Sequence, residues 1–185
     1  ATKRGYCAIA SVPAPDSGST YKIYSLPDNG SVTQSLWYYS KGDRVVTFRL
    51  SAIKLAMMIE QGIVNDGTFQ GYYNTAAANG FLGNRYDFVH MVISCIYSGK
   101  VNGCDSGTAR RSVIDAAVYL NNATGTYASQ MAGYRMYVSG PLSGRPQDVI
   151  WMEASTGNVS LKKASANPSL TDGNGCYSLA GAVYT

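Results

Sequence analysis

Residues 21–62 read YKIYSLPDNGSVTQSLWYYSKGDRVVTFRLSAIKLAMMIEQG, and a change of period at residue 51 decides the fold class. Before it, alternating runs are broken by turn residues. Tyr21–Leu26 reads as a strand, Pro27-Asp28-Asn29-Gly30 as a strong turn, and Ser31–Ser40 as the return strand of a hairpin. Lys41-Gly42-Asp43 turns the chain again into a third strand, Arg44–Leu50, giving an antiparallel meander. From Ser51 the spacing is helical: Ile53, Ala56, Met57 and Glu60 share one face, Ser51 is placed to cap the start, and Gly62 stops the end.

Further along, Val64–Gly83 is rich in Gly, Asn and Ala around Tyr72-Tyr73 and reads as a long irregular loop. Tyr86–Tyr97 fits either period. Val89, Met91, Ile93 and Cys95 would line one face of a strand, whereas Phe88, Met91, Val92 and Cys95 would line one face of a helix. The β-branched residues Val89, Val92, Ile93 and Ile96 favour a buried strand. Thr108–Leu120 carries the helical stripe Val113, Ala116, Ala117, Leu120, and Tyr134–Ser139, Val149–Ala154, Asn158–Lys162 and Tyr177–Tyr184 read as strands. The expected fold is a single α+β domain over 1–185, a mostly antiparallel sheet or sandwich with about two helices, disulfide-bonded.

Charged residues make up 14% of the chain, against a usual ~25%, and fifteen tyrosines with Ser, Thr, Asn and Gly supply most of the polarity. Such a neutral polar composition is typical of secreted proteins, and the opening Ala-Thr-Lys-Arg, without an initiating Met, fits a start removed by a protease, by signal-peptide cleavage or by the design of the expressed chain. The formal charge of +4 is too thinly spread to track phosphates, since Arg110-Arg111 and Lys162-Lys163 are the only adjacent basic pairs after the terminus. Nucleic acid is therefore not an expected partner. Val89–Ile96 falls far short of the ~20 apolar residues that a membrane span needs.

Four cysteines allow three pairings. Cys95 and Cys104 flank a turn-rich segment and make the economical bridge, which leaves Cys7 with Cys176 as a clasp between the chain ends. This pairing leaves no thiol for catalysis. No spacing of His90, Cys95 and Cys104 matches a zinc signature, and no phosphate-binding glycine loop occurs, so neither metal nor cofactor is expected.

His90 is the only histidine and sits in the most apolar segment, a setting more common for a hydrogen-bonded core residue than for a catalyst. Glu60 and Glu153 are the only glutamates. Strand alternation puts Glu153 beside Trp151, where a carboxyl group could act as a general acid with Glu60 or Asp66 as its partner.

In composition the chain resembles secreted microbial interaction proteins: effectors, toxin binding subunits and adhesins. That resemblance implies a recognition domain for a host or cell-surface protein or glycan and assigns no residue. Tyr72, Tyr73, Trp37 and Tyr38 are the aromatic candidates for the binding surface, because flat amphipathic rings give contact area at low entropic cost. The alternatives are a secreted hydrolase using His90 or Glu153, and a subunit of an extracellular fibre paired through Tyr177–Tyr184.

Overall fold

The computed structural model describes residues 4–15, 18, 20–37, 43–101, 107–141 and 147–155. These belong to one compact unit. Two antiparallel sheets and, among the described residues, five helices form an α+β fold. The strands are β1 (Tyr6–Cys7), β2 (Tyr21–Leu26), β3 (Ser31–Trp37), β4 (Asp43–Arg49), β5 (Tyr134–Pro141) and β6 (Val149–Ala154). The helices are α1 (Ser51–Glu60), α2 (Gly67–Ala78), α3 (Arg85–Ser98), α4 (Gly107–Ala123) and the short α5 (Ala128–Met131).

Helix α1 is the centre of the molecule. Every residue from Ser51 to Ile59 is buried, because helices α3 and α4 and strands β4 and β6 all pack on it. A helix apolar around its whole circumference belongs in a core and not on a surface. Lys54 is its one interior charge, 0% exposed, and its Nζ donates to Asp28 Oδ2 (2.5 Å), Met131 O (3.1 Å) and Tyr134 O (2.5 Å). The start of α1 also differs from expectation. Leu50 occupies the N-cap position, no side chain caps this end, and Ser51 is already the first helical residue.

The expected hairpin of Tyr21–Leu26 with Ser31–Ser40 does not form. β2 pairs with β5, Leu26 lying opposite Met136, while β3 pairs with β4, Val32 lying opposite Phe48. The larger sheet runs β1-β6-β5-β2 and the smaller is β3-β4 alone. Pro27–Gly30 therefore carries the chain from one sheet to the other. The turn is held by Gly30 N–H to Pro27 O (3.3 Å), by Leu50 N–H to Gly30 O (2.9 Å) and by the Asp28–Lys54 pair.

Two further expectations are corrected. The segment read as a buried strand over Tyr86–Tyr97 is α3, and the loop expected over Val64–Gly83 contains α2, so the described residues hold five helices and not two. Termini explain both. At α3, Asn84 Oδ1 accepts from Asp87 N (3.1 Å) and Asp87 Oδ2 accepts from Asn84 N (2.8 Å), a reciprocal capping box, and Gly99 ends the helix at φ +70. At α2, Asp66 Oδ1 accepts from Phe69 N (2.9 Å). No disulfide is present among the described residues. Cys104 and Cys176 lie outside them, as do Tyr38 and the strands expected over 158–162 and 177–184.

Candidate functional site

Strand alternation gives β3–β4 two unlike faces. Inward, Leu36 and Phe48 are buried and Val32, Gln34 and Val46 partly so. Gln34 Nε2 donates to the carbonyls of Ile96 (3.1 Å) and Tyr97 (2.9 Å), satisfying acceptors at the end of α3. Outward stand Ser31, Thr33, Ser35 and Trp37 on β3, opposite Arg49, Thr47, Val45 and Asp43 on β4, all eight exposed. Six residue steps at ~3.4 Å make this a strip about 20 Å long. Its middle is hydroxyl-rich, with Thr33 and Thr47 Oγ1 atoms 2.8 Å apart.

Trp37 closes one end of the strip. Its ring is 52% exposed and faces the Arg110 guanidinium of α4 at 5.7 Å. At the other end the strip opens into a cleft. Ser31, Thr47 and Arg49 join Asp28, Asn29, Gly30 and Ser51 around a concavity of ≈ 450 Å³. Two adjoining depressions of ≈ 350 and ≈ 300 Å³ share Asp28 and Asn29 with it, and Arg135 lines the second. Asn121 fixes the cleft wall: its Oδ1 accepts from Arg49 N (2.7 Å) and its Nδ2 donates to Thr47 O (3.2 Å), occupying the open edge of β4 as a strand would. Among the described residues the Arg49 guanidinium on this wall has one side-chain partner, a long contact to Thr124 Oγ1 (3.5 Å).

The aromatic candidates divide between different surfaces. Tyr72 and Tyr73 lie on α2, half-buried, with rings against Tyr119 (5.9 Å) and Phe88 (5.6 Å). Arg110 and Tyr119, the α4 neighbours of Trp37 and Tyr72, are nine residues apart, about 13 Å along the helix and half a turn around it. Trp37 and Tyr72 therefore touch opposite sides of α4 and do not share a patch.

His90 is oriented by its neighbours. Its Nδ1 accepts from the Cys7 N–H (2.9 Å), and its ring meets Tyr86 edge-on (4.4 Å) and Tyr6 (5.3 Å). Burial holds its pKa below the ordinary value. A main-chain N–H can only donate, so Nδ1 carries no proton and the neutral ring keeps its hydrogen on Nε2. The lone pair that a general base would use is already engaged in joining β1 to α3. Glu60 is likewise committed, accepting Arg4 Nη1 at 2.9 and 3.0 Å and the Tyr6 hydroxyl at 2.5 Å.

Trp151 Nε1 donates to Glu153 Oε1 (2.9 Å), the same-face neighbour that alternation implies. Asp66 is buried, its Oδ2 accepting from Tyr119 and Tyr127 hydroxyls, both at 2.8 Å. Burial raises its pKa, but the Phe69 N–H and the two phenols outweigh that and hold it below the usual carboxylate range. His90, Glu60, Glu153 and Asp66 line none of the three depressions of the cleft. Burial pushes the Cys7 thiol up, away from the reactive thiolate. No group of three or more metal-ligating side chains occurs among the described residues, and no helix there is long and apolar enough to cross a membrane.

Asp28, Asn29, Arg49, Ser51 and Arg110 were not singled out by sequence as site residues. The alternation of Ser31, Thr33, Ser35 and Trp37 with Thr47 and Arg49 carries a readable signal, a polar strand face ending on an indole. What places it beside a cleft is the sheet-to-sheet passage at Pro27–Gly30, which no local pattern announces. Compared with protein-family models, curated proteins and solved structures, the chain matches none, so its function is read from this geometry.

Proposed function

We propose that this protein is a secreted recognition domain that binds an extracellular or host-surface glycan along the outer face of β3–β4, with Trp37 as its anchor. The observation that carries the reading is the strip itself: exposed hydroxyls of Ser31, Thr33, Ser35 and Thr47 between the half-exposed Trp37 and a polar cleft. A saccharide has the matching chemistry. Its hydroxyls exchange hydrogen bonds with serine and threonine, and the C–H face of a sugar ring stacks on an indole. The low charge density along the chain favours a hydroxylated ligand over a charged protein surface as the main contact. The hydrolase alternative through His90 or Glu153 finds no such support, because the Nδ1 lone pair of His90 is taken, Glu153 accepts from Trp151, and neither lines the cleft.

A glycan array probed with the folded chain tests the reading. Binding should concentrate on a defined set of saccharides, and Trp37→Ala should weaken it by about tenfold or more. An unchanged affinity in the folded Trp37→Ala variant would sink the proposal. Selective capture of proteins stripped of glycans would replace it with a protein partner.

A further inference from the structure

The α1 N-terminus opens into the cleft without a cap. Leu50 N–H is taken by Gly30 O and Ile53 N–H by Leu50 O (3.0 Å), but Ser51 and Ala52 N–H find no acceptor among the described residues. The Ser51 hydroxyl is a second, separate observation. Ser51 is only 9% exposed and lines two of the three depressions, yet its Oγ makes no hydrogen bond among the described residues. This hydroxyl faces the cleft and is free to bond a ligand there.

The charges around this point sum in one direction. Arg49 stands on the wall and Arg135 borders the adjoining depression. Asp28, the one carboxylate among the described residues lining the cleft, is neutralised by the buried Lys54 ammonium at 2.5 Å. The α1 dipole adds positive potential where its N–H groups emerge. Asp28 Oδ1 and the Asn29 amide have no hydrogen bond among the described residues and remain open to ligand hydroxyls.

We infer that the start of α1, with Ser51 Oγ and the Arg49 guanidinium, is an anion subsite, and that the glycan bound along β3–β4 carries a carboxylate or sulfate group seated there. This rests on the glycan reading but is testable without it. Inorganic sulfate is the first probe, titrated into the folded chain while the backbone amides are followed by NMR. Saturable shifts are expected at Ser51 and Ala52. Arg49→Gln and Ser51→Ala should each weaken sulfate several-fold, and Ser51→Ala should not lower thermal stability, since its hydroxyl has no hydrogen-bond partner among the described residues.

The second probe is a set of oligosaccharides alike except for a carboxylate, a sulfate or neither. The acidic members should bind about tenfold more tightly than the neutral one, and Arg49→Gln should abolish the difference. The member preferred identifies the acidic group. If sulfate moves no α1 amide, the subsite is wrong even where neutral saccharides bind through Trp37. If sulfate binds at Ser51 and no saccharide binds at all, the subsite stands and the glycan reading falls. Equal affinity for acidic and neutral members overturns the assignment of the ligand's charge.

Discussion

Single side chains hold this fold at points where a partner is indispensable, and His90 is the clearest case. Protonating Nδ1 would set two N–H groups against each other at the Cys7 main chain. The folded-state pKa lies below the unfolded value, chiefly through burial and against the pull of the Asp87 and Glu60 carboxylates. The unfolded chain therefore binds the proton more readily. The stability contributed is present above the unfolded value, roughly pH 6.5, and is lost as pH falls through the folded pKa. Thermal midpoints should drop over that window. His90→Asn, whose amide oxygen can accept from Cys7 without titrating, should flatten this limb, and an unaltered slope would show that other groups set it.

Lys54 makes a different prediction. Replacing it by Met should cost about 3 kcal/mol in denaturant unfolding, through the carbonyls of Met131 and Tyr134 left unpaired in the interior. The Asp28 pair contributes less, because that carboxylate is half in solvent.

At the scale of elements, periodicity was readable wherever one face of a strand or helix is buried, and caps decided the remainder. β3 alternates throughout and β4 over residues 46–49, Met136 and Val138 mark the buried side of β5, and the stripe Val113, Ala116, Ala117, Leu120 marks α4, whereas β6 alternates little. α3 was hidden because Val89, Val92, Ile93 and Ile96 give a strand-like composition to a helix buried on most of its surface. The deciding residues lie just outside the apolar run, at Asn84, Asp87 and Gly99. Asn84→Ala should therefore destabilise by about 1 kcal/mol, measured by chemical denaturation, and a neutral result would mean that packing against α1 alone specifies the helix. α2 was hidden by its Gly and Asn content and is fixed by Asp66, which caps it while tying it to Tyr119 and Tyr127. Asp66→Ala removes the cap and strands two phenols, so a larger loss is expected, about 3 kcal/mol. Because its folded pKa is depressed, that contribution is present above the ordinary carboxylate pKa, near 4, and disappears as pH falls below it.

In the whole molecule, the passage between the two sheets and the candidate site are one structure. The sequence marks Pro27–Gly30 as a turn but cannot say that β2 and β3 part there, since that depends on β5 arriving beside β2 from more than a hundred residues away. The same passage sets the floor of the cleft: Gly30 is so close to α1 that an added Cβ would lie 2.7 Å from Leu50 Cδ1. Stability and binding should accordingly separate by position. Gly30→Ala should lower both, costing roughly 1–2 kcal/mol by overpacking, because Leu50 and the cleft floor must move together. Trp37→Ala should lower binding alone, its ring being half exposed at the far end of the strip. Ligand at 100 times its Kd should stabilise the native chain by ~2.7 kcal/mol, and at that same concentration the Trp37→Ala chain should gain about half as much or less. Thermal melts of the three chains with and without the bound saccharide check this. A Gly30→Ala chain that loses stability yet keeps full ligand stabilisation would separate the cleft from the site and confine recognition to the strand face.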